Sequence, residues 1–303
     1  MMSHNNQSTS RNFLRPRFTL YALRFTLILL SCAACLAGCY KVTPPVETLS
    51  EANQKLVQLF EEELKQNAVI TPLTNTLYIY VPIEFDIFVY QAARAANVNE
   101  RQASFKKTIA FLDVQYLDEQ FIIEYDIQVS KSYPQSKGYA SSYTEQFTRL
   151  HNNILTNISR SYGDLLKDSD ESPKDFIVLI LADIRNGIGI RNTFSYQDLK
   201  LGVGQAIGQD EYAQRYMTEM FGDLRMKNDK WGQSIDYKDL SWPEFVAQEI
   251  QYRINYNYGR TAYPLDKPDE DVLKELALEA ISAYDFKDYT TIFFKQPQKI
   301  SAQ

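Results

Sequence analysis

The segment Phe176–Tyr196, FIVLILADIRNGIGIRNTFSY, narrows the possible folds more than any other stretch of the chain. Phe176 to Leu181 is an unbroken apolar run, rich in β-branched residues and too short for a typical helix. That is the pattern of a strand covered on both faces. Asn186-Gly187 follows, the pair best suited to the two φ > 0 positions of a type I′ hairpin turn. A turn on those two residues sets Leu179 opposite Phe194 and Ile177 opposite Tyr196. Ile188, Ile190, Phe194 and Tyr196 then share one face, and Gly189, Arg191, Thr193 and Ser195 the other. The first strand reads as central and the second as half-solvated.

Around this hairpin the pattern builds an α+β domain. Its expected core is a mixed, largely antiparallel sheet centred on 176–196 and packed by helices, with a helical C-terminal third. A helix is expected from Thr48, capped by Ser50, with Leu56, Phe60 and Leu64 on one face. Leu77–Val81 alternates as a strand that stops at Pro82. Residues 83–105 are ambiguous, with a short strand possible around Phe85–Tyr90. Thr108–Tyr116 and Phe121–Val129 form a second hairpin about Asp118-Glu119. It pairs Tyr116 with Phe121, Val114 with Ile123, Leu112 with Tyr125 and Ala110 with Ile127.

Ser142-Tyr-Thr-Glu145 reads as a capping box opening a long helix striped by Tyr143, Phe147, Leu150, Ile154, Ile158, Tyr162 and Leu165. A helix in that place has crossover length, which implies a parallel pairing somewhere in the sheet. Further on, Asp210 precedes a helical run through Tyr212, Tyr216, Met217 and Met220. Ser241-Trp-Pro-Glu244 is a second capping box, leading into Val246, Ile250 and Ile254. Asp269 or Asp271 opens another helix, and Thr290–Phe294 forms a last strand. Residues 222–240 are the best linker candidate, yet the whole of 48–303 reads as a single domain.

The first 39 residues have a different character. Four arginines and no Asp, Glu or Lys lead into Phe25-Thr-Leu-Ile-Leu-Leu-Ser-Cys-Ala-Ala-Cys-Leu-Ala-Gly38. Basic, then apolar, then small is the order of a secretory signal, and the apolar core is short for a membrane span of ~20 residues. It closes on Leu36-Ala37-Gly38-Cys39, which resembles the lipobox of bacterial lipoproteins. The resemblance implies cleavage after residue 38, whether translation starts at Met1 or at Met2 or later. It further implies thioether-linked diacylglycerol on Cys39, with an added acyl chain such as palmitate on the new N-terminus. Residues 39–47 then form the lipidated cysteine and a proline-stiffened tether. Tyr40, rather than Asp, after the cysteine implies sorting to the outer membrane of the cell envelope. The expected partner on this side is the lipid bilayer itself.

Removing residues 1–38 takes four positive charges and moves the formal net charge from −6 to −10. An acidic domain of that kind repels phosphate backbones, so nucleic acid is not an expected partner. Cys32 and Cys35 leave with the signal, and Cys39 carries the lipid. The mature domain therefore has no disulfide and no free thiol, and its stability must come from its core.

The remaining chemistry is narrow. His151 is the single histidine after the signal, too few for a histidine-built zinc site. Gln248-Glu-Ile-Gln-Tyr252 stands where a zinc protease would carry His-Glu-x-x-His, and both histidines are missing. No Gly-x-Ser-x-Gly elbow is present. Gly202-Val-Gly-Gln-Ala-Ile-Gly208 fits neither a dinucleotide fingerprint nor a phosphate loop and reads as a helix connection. No cofactor, metal or catalytic residue is assigned. Asp183 is the oddest acid, sharing a face with Leu179, Leu181 and Ile190, and the simplest reading hydrogen-bonds it to the turn or to Arg185.

Tyr252, Tyr256, Tyr258, Arg260 and Tyr263 form an aromatic and basic cluster of the kind that packs a partner protein or stacks on a glycan. The plainer reading buries those rings and leaves their hydroxyls at the surface. Two functions stay open. One is a non-enzymatic envelope lipoprotein that binds or scaffolds. The other is a carboxylate-dependent glycoside hydrolase acting on the cell wall, which needs two acids across one cleft.

Overall fold

The computed structural model describes residues 48–92, 104–132, 139–163, 174–227, 232 and 235–296. Cys39, the lipobox and Leu165 lie outside the described residues. Val46–Gln303 forms one compact unit.

The domain is α+β. Helix α1, Leu49–Leu59, is capped by Thr48 rather than Ser50, and ends in a π turn over Phe60–Leu64. The Thr48 hydroxyl accepts the Glu51 N–H, and the Glu51 carboxylate accepts the Thr48 N–H, both at 3.2 Å. Strands β1 (Val69–Pro72), β2 (Thr76–Ile83), β7 (Phe176–Asp183), β8 (Ile188–Ser195) and β9 (Met217–Gly222) form a five-stranded sheet in the order β1-β2-β7-β8-β9. Strand β7 sits at its centre. It runs parallel to β2 and antiparallel to β8, so the crossover pairing implied by the sequence joins β2 to β7. β2 does not stop at Pro82, which lies opposite Ala182 within the ladder.

The hairpin 176–195 forms, with its register two residues away from the sequence expectation. Ile177 faces Phe194 and Leu179 faces Asn192. The connection is four residues long, Ile184 to Gly187, because the Asp183 carboxylate nucleates it. Asp183 Oδ1 accepts the N–H groups of Arg185 and Asn186 at 3.0 Å each, and the Asp183 carbonyl accepts the Gly187 N–H at 2.9 Å. Only Gly187 has positive φ there, +73°. An aspartate-centred turn ending on a left-handed glycine displaces the two-residue turn, and a shift of two preserves which face each side chain occupies.

That preserved alternation sorts the core. Odd-numbered residues of β2 and β7, with Ile190 and Phe194 of β8, pack under α1 and α2 (Glu145–Tyr162). Even-numbered residues of β2 and β7 face the opposite side and meet α5 (Trp242–Arg260) and α6 (Asp269–Ala283). Each fully buried Leu, Ile or Phe along this strand pair contributes about 1.5–3 kcal/mol. β8 is more buried than the expected half-solvated strand, since β9 flanks it and Thr193 is closed over.

A second sheet lies beyond α5, ordered β10-β5-β4 from Thr291–Lys295, Gln120–Ser132 and Ser104–Leu117. Tyr116–Phe121, Val114–Ile123 and Leu112–Tyr125 pair as the sequence implies. A bulge at Ala110 then puts Ile109, not Ala110, opposite Ile127. Asp118 and Glu119 hold φ of +49° and +59° and make the tight turn themselves. β10 adds parallel to β5. A separate two-stranded ladder pairs β3 (Phe88–Ala92) with β6 (Tyr139–Tyr143).

Three expectations change here. The second helix is capped by Thr144, whose hydroxyl accepts the Phe147 N–H at 3.1 Å, because Ser142 and Tyr143 belong to β6. Asp210 opens only the short helix α4, Gln209–Arg215, which follows α3, Tyr196–Val203; residues 217–222 are a strand. Residues 235–240 are no free linker. The Tyr78 hydroxyl donates to the Lys238 carbonyl at 2.8 Å, and the Leu240 N–H donates to Thr76 Oγ1 at 2.9 Å.

Candidate functional site

Helix α5 decides where a site can be. Ser241 and Glu244 cap it reciprocally, the carboxylate accepting the serine hydroxyl at 2.8 Å and its N–H at 3.1 Å. Phe245, Val246, Ala247, Ile250, Ile254 and Tyr258 are buried between the two sheets. A helix covered on so many sides leaves one polar strip, Gln248, Gln251, Tyr252 and Asn255, at the i, i+3, i+4, i+7 spacing of a single face.

This strip forms one wall of a groove of about 560 Å³ whose other wall is Arg191, Thr193, Met217, Thr218 and Glu219 from β8 and β9. The Arg191 guanidinium pairs with Glu219 at 3.1 Å and lies 5.4 Å from the centroid of the Phe221 ring. Gln251 Oε1 accepts the Val114 N–H at 3.2 Å, tying the groove wall to the second sheet. Burial raises the Tyr252 hydroxyl above the usual phenol range, while polar contacts from the Thr218 backbone and side chain oppose that rise.

Behind the strip lies an ionic cluster. Arg253 reaches Glu211 at 3.1 Å, Glu249 at 3.6 Å and Glu279 at 3.7 Å. Arg215 bridges Glu211 at 2.7 Å and Asp198 at 3.4 Å. Asp198, fully buried, accepts the Ser195 hydroxyl at 2.6 Å and the Tyr284 hydroxyl at 3.0 Å. Burial pushes Asp198 up, against its hydrogen bonds and Arg215. Burial pushes Glu249 far up, with only Arg253 and Arg215 opposing. Burial alone would raise Glu211 too, but its bonds to Arg253 and Arg215 outweigh that and hold it low. Neither Asp198 nor Glu249 lines the groove.

The aromatic cluster named from the sequence is split by the helix. Tyr252 is in the groove wall. Tyr256 stacks beneath Arg260, 4.8 Å from guanidinium to ring centroid, away from the ionic cluster. Tyr258 is buried against Tyr263 with ring centroids 4.7 Å apart, and its hydroxyl has no hydrogen-bond partner among the described residues. The Tyr252 and Tyr256 rings stay together, with centroids 6.1 Å apart, and Tyr258 alone of the five is fully turned into the core. Sequence reasoning missed Gln248, Gln251, Asn255 and Thr218. The available signal was four polar residues, Gln248, Gln251, Tyr252 and Asn255, at the spacing of one helical face.

His151 is half-buried, stacked on Phe147 with its Nε2 2.8 Å from the Tyr216 hydroxyl. Asp183 is spent on the turn it builds. The Gly202–Gly208 segment connects α3 to α4. Two further grooves share Gln66, Phe85 and Gln146. The acids Glu63 and Glu145 lining one of them are each paired to an arginine, Arg160 at 2.8 Å and Arg149 at 2.6 Å. Among the described residues no group of three or more His, Cys, Asp or Glu side chains is placed to hold a metal ion, and no helix is long and apolar enough to cross a membrane. No family model, no curated protein and no solved structure matches the chain.

Proposed function

We propose that this chain is a lipid-anchored protein of the bacterial envelope whose task is recognition, carried by the groove between β9 and α5. The anchor rests on Leu36-Ala37-Gly38-Cys39, and outer-membrane sorting on Tyr40. One observation supports recognition over bond cleavage. The groove is walled by neutral hydrogen-bonding side chains, and its one acid, Glu219, is already paired with Arg191. A carboxylate hydrolase needs an acid and a base facing each other across a cleft. Of the acids that burial pushes upward, Glu249 and Asp198 are sealed behind the helix and Asp175 lies outside the groove.

The test uses the intact lipoprotein extracted from its membrane. Wild type should retain an envelope component that Gln248→Ala/Asn255→Ala loses, while purified peptidoglycan stays uncut by both. Turnover of peptidoglycan that disappears when one acid pair is replaced would overturn this reading.

A further inference from the structure

Strand β9 is the outer strand of its sheet, and among the described residues it pairs only with β8. The direction of its backbone groups follows from one bond. The Asp223 N–H donates to the Gly187 carbonyl at 3.0 Å, toward β8. Along an antiparallel strand these groups alternate from side to side, so the odd-numbered residues of β9 bond β8. Thr218, Met220 and Gly222 then aim N–H and C=O away from the sheet.

We infer that the groove receives an extended polypeptide segment, which adds to the free side of β9 as a sixth strand. The inference rests on the groove being the recognition site. Three features fix the chemistry of the occupant. The open side offers donors and acceptors in alternation over positions 218 to 222, a length of roughly 13 Å at about 3.3 Å per residue, suited to a peptide of about five residues. The facing wall carries the carboxamides of Gln248, Gln251 and Asn255, the functional group of a peptide backbone, each able to donate and accept. The charges cancel, Arg191 against Glu219, which suits a neutral backbone and disfavours a polyanion. Met220, 64% exposed and paired with Ile190, projects from the other face of β9, outside the groove, where it would meet an alternate side chain of the incoming strand. Tyr252 stands at one end of the groove, in the lining beside Thr218.

The experiment uses the lipidated protein in nanodiscs. An array of random decapeptides is screened, and the tightest binder is remade in two forms, N-methylated at its odd or at its even positions. Chitohexaose is titrated in parallel. Strand addition predicts that one methylated form loses at least tenfold in affinity while the other keeps it. Met220→Pro should abolish binding without lowering Tm much, because the N–H it removes points away from β8. Should that variant fail to fold, Asn255→Ala, at an exposed position, reads the same site and should weaken binding several-fold. Equal affinity of both methylated forms overturns strand addition, and so does peptide binding indifferent to Met220→Pro and Asn255→Ala. Binding of chitohexaose with no bound peptide overturns the polypeptide assignment and leaves the recognition reading standing. No binding of either probe, together with no component retained from the membrane, overturns both.

Discussion

Glu249 and Arg253 stand one helical turn apart on α5, carboxylate to guanidinium 3.6 Å, and both are sealed from solvent. Arg253 divides itself among three carboxylates, so Glu249 is under-compensated, and neither of its oxygens has a hydrogen-bond partner among the described residues. Its folded pKa is raised well above the ordinary 4.5 by burial, so the folded state holds a proton that the unfolded state releases. The sign follows directly. Stability from this group is complete below pH 4.5 and declines as pH rises through the folded value. Glu249→Gln should therefore raise stability at pH 8, and the difference should vanish toward pH 4 in denaturant titrations. Removing the partner works the other way. Arg253→Met should destabilise at neutral pH, since it takes one of two counter-charges from Glu211, the carboxylate that Arg253 and Arg215 hold ionised.

His151 gives the opposite slope. Burial lowers it below the ordinary 6.5, although polar contacts with the Asn192 and Asn152 side chains work against the shift. The unfolded chain takes up the proton first, so stability is present above pH 6.5 and is lost as pH falls through the lower folded value. His151→Phe should flatten the stability profile between that value and pH 6.5. It should also remove about 1 kcal/mol at all pH values by leaving the Tyr216 hydroxyl unpaired. An unchanged acid limb in the variant would count against this account.

Gly187 carries the left-handed conformation that ends the β7–β8 connection, at φ +73°, and a Cβ there would sit 3.0 Å from the Asp223 carbonyl oxygen. Left-handed backbone alone costs roughly 1–2 kcal/mol in a residue with a side chain, and a β-branched one adds crowding. Gly187→Val should lower Tm by several degrees, read by calorimetry, whereas Asn186→Ala should lower it less.

Tyr258 tests the plainer half of the aromatic cluster. Its ring is buried and its hydroxyl is unpartnered, so Tyr258→Phe should be neutral or stabilising by up to about 1 kcal/mol. Tyr256→Ala and Arg260→Ala, by contrast, should leave Tm almost unchanged.

The lipid anchor is checked by intact mass. The mature protein should lack 38 residues and carry added acyl mass on Cys39, and Cys39→Ala should block processing. An unacylated protein beginning at another residue would end that proposal.

These cases show what could be read from the chain and what could not. The centre of the first sheet was legible because Phe176–Leu181 is apolar on both faces, and the β4–β5 register, as far as the bulge at Ala110, because each cross-strand pair is apolar on one side. The β7–β8 register was not, because Asp183 competes for the turn with its own side chain, and strand pattern cannot see that hydrogen bond. Met217–Gly222 was misread for a related reason. Four apolar or aromatic residues from Tyr212 to Met220 mimic helical spacing, and only the open side of β8 converts the second half into a strand. The groove escaped because its residues are ordinary amides, significant only through what α5 buries around them. The ionic cluster escaped because it joins four helices and Tyr284, of which sequence proximity reveals only the Glu249–Arg253 and Glu211–Arg215 steps.

Strand β10 has one more implication, for the order in which the chain can fold. It lies parallel against β5, and the Thr290 N–H bonds the Glu119 carbonyl across 171 positions of sequence. β2 likewise waits about a hundred residues for β7. Contacts so distant close late, after the entropy of large loops has been met. As the chain emerges from its N-terminus, neither sheet can be completed early: the first lacks its centre until residue 183 and the second lacks β10 until residue 295. The second sheet therefore closes only when nearly all of the chain is available, whereas the first can close once residue 222 is present.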